Sequence, residues 1–217
     1  MNIADYFKDN RGLQCLDYAQ YRCGEGHRNI IALGPEFGDF SGTGCSDLSL
    51  FPNYSYVQFL PGKITCYPIS TYQIGFSSDF TGCIMAYFIL KNQAYIAHIT
   101  IGGEDCRKKW NTFIESNRKY ITKYLVFRPF KPGTRIYNFS INNFHIFNSC
   151  RCVGLINGDG SSCYSMLVKK GPDSKYVHIM SENMIDSSHH TDSLRDLSLL
   201  SIRYNLEIPS TTFGSRW

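Results

Sequence analysis

Two apolar runs dominate the middle of the chain. Ile84 to Leu90 is followed by the polar Lys91-Asn92-Gln93 and then by Tyr95 to Ile101, which Gly102-Gly103 ends. Each run falls far short of the roughly 20 residues that span a bilayer. A polar turn between two such runs predicts a β-hairpin of buried strands. Beyond it, Trp110, Phe113, Ile114, Tyr120, Ile121 and Leu125 recur at helical spacing, behind Glu104 and Asp105, which suit a first helical turn. The pattern predicts a helix from Glu104 to Lys123.

On the N-terminal side, from Met1 to Pro68, the apolar pieces are short. Ile30-Ile31-Ala32-Leu33 and Tyr56 to Leu60 are punctuated by Pro35, Gly38, Gly42, Gly44, Pro52 and Pro61-Gly62, spacings that suit short strands rather than helices. On the other side, Pro129 and Pro132-Gly133 break the chain before Ile136 to Ile146, where Tyr137 to Ile141 alternates as a strand does. Asn157-Gly158-Asp159-Gly160 reads as a turn joining Cys152–Ile156 to Cys163–Val168 in a further hairpin. Thr191 to Asn205 is predicted as a short helix behind the polar Ser187-Ser188-His189-His190. No repeat, low-complexity tract or linker divides the chain, so residues 1–217 are expected to form one catalytic domain. Its class is α+β, a central β-sheet or sandwich flanked by a few helices.

Composition sharpens this picture. Of 217 residues, 43% are apolar, 15% aromatic and only 18% charged, a balance that describes a packed globule rather than a disordered chain. The 22 basic and 18 acidic residues leave a net charge of +4. The densest basic clusters, Arg107-Lys108-Lys109 and Lys169-Lys170, make no stripe, so nucleic acid is not an expected partner. Asn2, Asp5, Lys8, Asp9 and Arg11 break up the start of the chain where a signal peptide would carry an apolar stretch. Nine cysteines, at 15, 23, 45, 66, 83, 106, 150, 152 and 163, are odd in number and lack a repeating spacing. A reducing compartment, with the thiols acting as small apolar fillers, is the expectation.

Metal and nucleotide chemistry find little support. His189-His190 lies near Asp186 and Asp192, yet neighbours on an extended chain point to opposite faces. Cys150-Arg151-Cys152 lacks the second ligand pair of a structural zinc site. Gly42-Thr43-Gly44 and Gly158-Asp159-Gly160 are not followed by the Lys and Ser or Thr of a phosphate loop. The remaining constellation is Thr81-Gly82-Cys83 at the head of an apolar strand, with His98 fifteen residues on. Glycine before a cysteine allows close approach of a substrate, and an imidazole can take the thiol proton. The imidazole needs an orienting group on its other nitrogen; Ser77, Ser78 and Asp79 are near in sequence, with Ser77 the first choice. Geometry sets a condition on this pair. A two-residue turn at Asn92-Gln93 would pair His98 with Tyr87 and leave Cys83 four residues along, roughly 13 Å away. Convergence therefore requires Cys83 outside the strand or a different register. The competing reading makes Cys83 a buried filler and His98 a core histidine. A second Thr-Gly-Cys, at Thr43-Gly44-Cys45, precedes polar residues instead of an apolar strand.

Thr81-Gly82-Cys83 followed by His98 resembles the nucleophile and base of bacterial cysteine-dependent glutamine deamidase toxins, a family that includes the cytotoxic necrotizing factor catalytic domain, the Burkholderia lethal factor and CheD-like proteins. That family often carries Leu-Ser-Gly-Cys, where Phe80 and Thr81 stand here, and the resemblance covers about twenty-five residues. Some members place a threonine six positions before the cysteine, which corresponds to Ser77. The resemblance implies conversion of a glutamine side chain in a target protein to glutamate, without metal or organic cofactor. It also implies an effector or toxin delivered by a specialised secretion route into a target-cell cytoplasm, a cytoplasmic resident being the alternative. Targets in that family include small GTPases and a translation factor. The same cysteine and histidine would serve a cysteine protease or transglutaminase, and a β-rich, tyrosine-rich chain also fits a non-enzymatic binding module. Oligomeric state is not legible.

Overall fold

The computed structural model describes residues 3–24, 28–32, 41–45, 48–80, 83–100, 104–129, 150–170 and 176–186. The chain opens with two helices, α1 (Ile3–Asp9) and α2 (Gly12–Gly24). Strands β1 (Arg28–Ala32), β2 (Ser41–Cys45), β3 (Tyr54–Tyr56), β4 (Ile64–Ile69), β5 (Ile74–Ser77), β6 (Ile84–Leu90) and β7 (Gln93–Ile99) follow. Then come α3 (Glu104–Asn117), a 3-10 turn over Arg118–Tyr120, and β8 (Ile121–Phe127), β9 (Cys150–Asn157), β10 (Ser162–Lys170) and β11 (Tyr176–Asp186). The strands form a six-stranded sheet in the order β1-β2-β4-β7-β6-β8 and a five-stranded sheet in the order β11-β10-β9-β5-β3. The fold is α+β, a two-sheet sandwich flanked by helices, as the pattern of apolar runs predicts.

Strand alternation decides what each face meets. On β6, Phe88 turns outward to α3, its ring 5.6 Å from Trp110 and 5.5 Å from Phe113, both edge-on. Trp110 is fully buried and donates its indole N–H to the Tyr124 hydroxyl on β8 at 2.8 Å. Met85 and Tyr87, of the opposite parity, turn inward to the five-stranded sheet. A Cβ built on Gly154 of β9 would lie 2.7 Å from the Met85 sulfur, and one on Gly160 would lie 2.4 Å from the Tyr87 ring. The outer face of the five-stranded sheet carries Tyr54 and Phe76, each meeting Phe7 of α1 at 5.3 Å. Two apolar clusters result, one on the six-stranded sheet and between the sheets, the other under α1 and α2.

The β6–β7 hairpin is present, with its turn at Lys91-Asn92 rather than Asn92-Gln93. Both turn residues take left-handed backbone, φ 48° and 67°, the geometry of the two-residue hairpin turns that match strand twist. The 152–156 to 163–168 hairpin also forms, as β9 and β10. Three expectations need correction. The helix from Glu104 stops at Asn117, whose side-chain amide donates to the Phe113 carbonyl at 2.8 Å, and residues 121–127 are strand. Ile3–Asp9 and Gly12–Gly24 are helical, not strand-forming. The Tyr56–Leu60 piece is strand only at its first residue, where β3 ends. The strand at 136–146 and the helix at 191–205 lie outside the described residues. Among the described residues no helix is long and apolar enough to cross a membrane.

Candidate active site

The inner faces of the two sheets meet at Ser77 and His98. Ser77 ends β5, where Phe76 points outward and Ser77 inward, and His98 lies one residue before the end of β7. Both side chains are buried, and the Ser77 Oγ is 2.8 Å from His98 Nδ1. The Ser77 hydroxyl also donates to the Val57 carbonyl at 2.6 Å.

These two contacts together fix a tautomer. A hydroxyl has one proton, and a carbonyl can only accept, so the proton of Ser77 goes to Val57. The bond to His98 must then run the other way, from Nδ1–H to the serine oxygen. Neutral imidazole protonated on Nδ1 carries its lone pair on Nε2. That Nε2 is buried and has no hydrogen-bond partner among the described residues. The arrangement is that of a general base with its accepting nitrogen uncommitted.

The ring is clamped by aromatic neighbours. Phe80 stacks on it at 4.2 Å with an interplanar angle of 4°, and Phe59 lies 5.1 Å away at 43°. Burial pushes the His98 pKa down to about 3, so the imidazole is neutral across the physiological range. It can take a proton only as another charge is made or cancelled beside it.

Cys83 lies immediately before β6 and is buried. The shifted hairpin turn changes its relation to the histidine. Met85, not Tyr87, pairs with His98, and Ile84 pairs with Ile99. Cys83 shares the parity of Met85, which places it one diagonal step from His98, about 7–8 Å between Cα atoms for such neighbours. Since Nε2 has no hydrogen-bond partner, the thiol and the imidazole are not hydrogen-bonded to one another here. Thr81 and Gly82 lie outside the described residues.

A polar cluster holds the segment that leads to this cysteine. Asp79 adopts left-handed backbone, φ 68°, and its carboxylate pairs with Arg151 of β9. Ser78 Oγ donates to Asp79 Oδ2 at 3.0 Å, and Gln20 of α2 bonds Ser78, Asp79 and the Tyr56 hydroxyl. The Phe80 N–H reaches the Cys152 carbonyl at 3.5 Å. The turn after Ser77 is thereby pinned on both sides, and Phe80 is aimed at His98.

Sequence reasoning named Ser77, Cys83 and His98 but missed Phe80 and Phe59 as walls and Val57 as the acceptor that sets the tautomer. Only Phe80 had a local signal, its place three residues before the cysteine. Burial pushes the Cys15, Cys66 and Cys152 thiols far above their ordinary range, which keeps them protonated in the core. Among the described residues no three His, Cys, Asp or Glu side chains group as metal ligands; His189 and His190 lie outside them.

No protein-family model matches the chain, and no curated protein matches it. Among solved structures, it is similar to the C-terminal domain of CNFy from Yersinia pseudotuberculosis, with a TM-score of 0.27 and 11% identity. The match covers 61% of this chain and spans about 62% of the length of that one, a likeness that leaves the reading of the site to its own residues.

Proposed function

We propose that the chain is a cysteine-dependent amidohydrolase that converts a glutamine side chain of a target protein to glutamate. The observation that carries the reading is the Val57–Ser77–His98 chain of hydrogen bonds, which leaves Nε2 as a buried, uncommitted acceptor beside the strand that Cys83 immediately precedes. In the reaction, the Cys83 sulfur attacks the carboxamide carbon while His98 Nε2 takes the thiol proton. The tetrahedral intermediate collapses as Nε2 returns that proton to the leaving nitrogen, which departs as ammonia and leaves a thioester. Water then attacks the thioester, His98 takes its proton, and the carboxylic acid forms as the thiol is restored. In this reading the contact between the thiol and Nε2 forms with substrate bound, since catalytic hydrogen bonds often tighten only then.

In this reading residues 1–217 act as one catalytic domain of a toxin or effector that works in a target-cell cytoplasm. Small GTPases and translation factors, the targets within the family that Thr81-Gly82-Cys83 resembles, are the first substrates to try. The test is whole-proteome mass spectrometry of cells expressing the wild type against C83A. Glutamine-to-glutamate conversion on one protein, present only with Cys83, is expected. Cysteine-dependent cleavage or glutamine–lysine crosslinks without deamidation would overturn the reading in favour of a protease or transglutaminase. No cysteine-dependent change would favour a binding module.

A further inference from the structure

The turn that follows Ser77 has different neighbours on the two faces of the five-stranded sheet. On the inner face Gly154 pairs with Ser77, and a Cβ built on it would touch Met85 and Phe80. On the outer face Val153, Leu155 and Phe76 belong to the apolar cluster under α1 and α2. Arg151 shares the parity of Val153 on β9, so its side chain leaves the sheet on the outer, helix-covered face. Phe80 lies on the inner face, stacked on His98. Asp79 stands between the two.

The Asp79 carboxylate pairs with Arg151 through one oxygen and accepts from Ser78 Oγ and Gln20 Nε2 through the other. Gln20 lies on α2, 59 residues earlier in the chain, and its amide nitrogen also reaches Ser78 Oγ and the Tyr56 hydroxyl. Three segments remote in sequence, α2, β9 and the 77–80 turn, thus meet on one carboxylate. The backbone at that point needs holding. Its φ of 68° is left-handed, a conformation that a residue other than glycine keeps only where its surroundings impose it. The next residue is Phe80, so a turn that let go of the carboxylate would carry the phenyl ring with it. We propose that Asp79 is a positioning residue of the site: bound by Arg151 and Gln20 on the outer face of the sheet, it holds the turn that keeps Phe80 stacked on His98 on the inner face. The inference rests on the reading of His98 as the general base, and Asp79 acts on that base through Phe80. It makes the burial of Nε2 depend on α2, an element on the far side of the sheet.

The test is carbethoxylation of His98 by diethylpyrocarbonate, which reacts with a neutral imidazole nitrogen, read by peptide mass spectrometry on the intact folded chain at neutral pH. In the wild type Nε2 is buried and Nδ1 is bonded to Ser77, so labelling of His98 is expected to be slow. D79N removes the charge but keeps a residue type that accepts left-handed backbone. It is expected to speed labelling at His98 about 10-fold, as the turn opens more often. R151Q should act in the same direction and R151K should retain most of the protection. D79N/R151Q should fall short of the product of the two single effects, because both variants break one pair. Cys66, fully buried on β4, gauges general opening, and its alkylation by iodoacetamide is expected to stay slow in every variant. If D79N does not fold, D79G accepts the same φ without strain and gives the same comparison. Unchanged labelling of His98 in a folded variant would overturn the inference. So would labelling of His98 and Cys66 that rises in step, since that marks a general loss of stability. Labelling needs no substrate, so the two readings fail separately. Cys83-dependent deamidation with unmoved His98 labelling sinks the role of Asp79 alone, and faster labelling without deamidation sinks the reaction alone.

Discussion

Lowering the pH should destabilise this fold through one side chain, His98. Its neutral ring sits between Phe80 and Phe59 with Nδ1–H bound to Ser77, and a second proton on Nε2 would be a buried charge without a partner. The folded-state pKa is depressed to about 3, whereas in the unfolded chain a histidine titrates near about 6.5. The unfolded state therefore binds the proton first. The full contribution is present above about pH 6.5 and is lost progressively as pH falls toward 3, at about 1.4 kcal/mol per pH unit. Between pH 7.5 and pH 5 that amounts to about 2 kcal/mol, in a window where most carboxylates stay ionised. The assay is urea denaturation at both pH values for the wild type and His98→Gln. The variant loses baseline stability with its Ser77 contact, but its loss on acidification should be smaller by about 2 kcal/mol. The other five histidines are common to both proteins and cancel. An equal loss in the two proteins would refute the placement of a neutral, buried His98.

Ser77→Ala strands the Val57 carbonyl and the His98 Nδ1–H together, so a destabilisation of roughly 2–4 kcal/mol and loss of activity are expected, with Ser77→Thr retaining more of both; unchanged melting would show that the bridge is not made. Phe80→Ala should cost about 3–5 kcal/mol in urea titration, as for buried aromatic truncations, and Phe80→Leu clearly less, because the stack on His98 is lost in both but only alanine leaves a cavity. Gly160→Ala meets both a left-handed backbone, φ 65°, and the Tyr87 ring at 2.4 Å, so a loss above about 1–2 kcal/mol is expected in thermal or chemical melting. A loss below that would mean that the turn or Tyr87 relaxes freely.

The parts of the fold legible in the sequence are those whose signal is local and long. Ile84–Leu90 and the 93–99 run declare a hairpin through unbroken apolar length, and Asn157–Gly160 declares another through turn chemistry. The helix after Glu104 was readable to Asn117 but not at its end. Tyr120, Ile121 and Leu125 happen to fit a helical period, while the packing that decides for strand, Tyr124 outward to Trp110 and Leu125 inward, is tertiary. The N-terminal helices were missed because their stripes are narrow: Ile3, Ala4 and Phe7, then Cys15, Leu16 and Ala19, each three buried residues at i, i+1, i+4. Glycine and cysteine within α2 weaken any helical reading further. At the candidate site, residue types singled out Cys83, His98 and Ser77, and the structure joins Ser77 to His98 by a hydrogen bond. The register that relates the first two hinges on a one-residue difference in turn position, and the direction of the serine bond on Val57, twenty residues away.

His98 and Ser77 come from opposite sheets, so the orientation of the imidazole belongs to the seam between them and to neither sheet alone. A perturbation that lets the sheets slide, while each keeps its own strand ladder, would free the ring to change tautomer and silence the base. Far-ultraviolet circular dichroism would register nothing, yet the proposed turnover would stop. The deamidation proposed for the chain would thus report on the closure of the sandwich, and it would vanish in any loosened, still strand-rich state well before the strands themselves come apart.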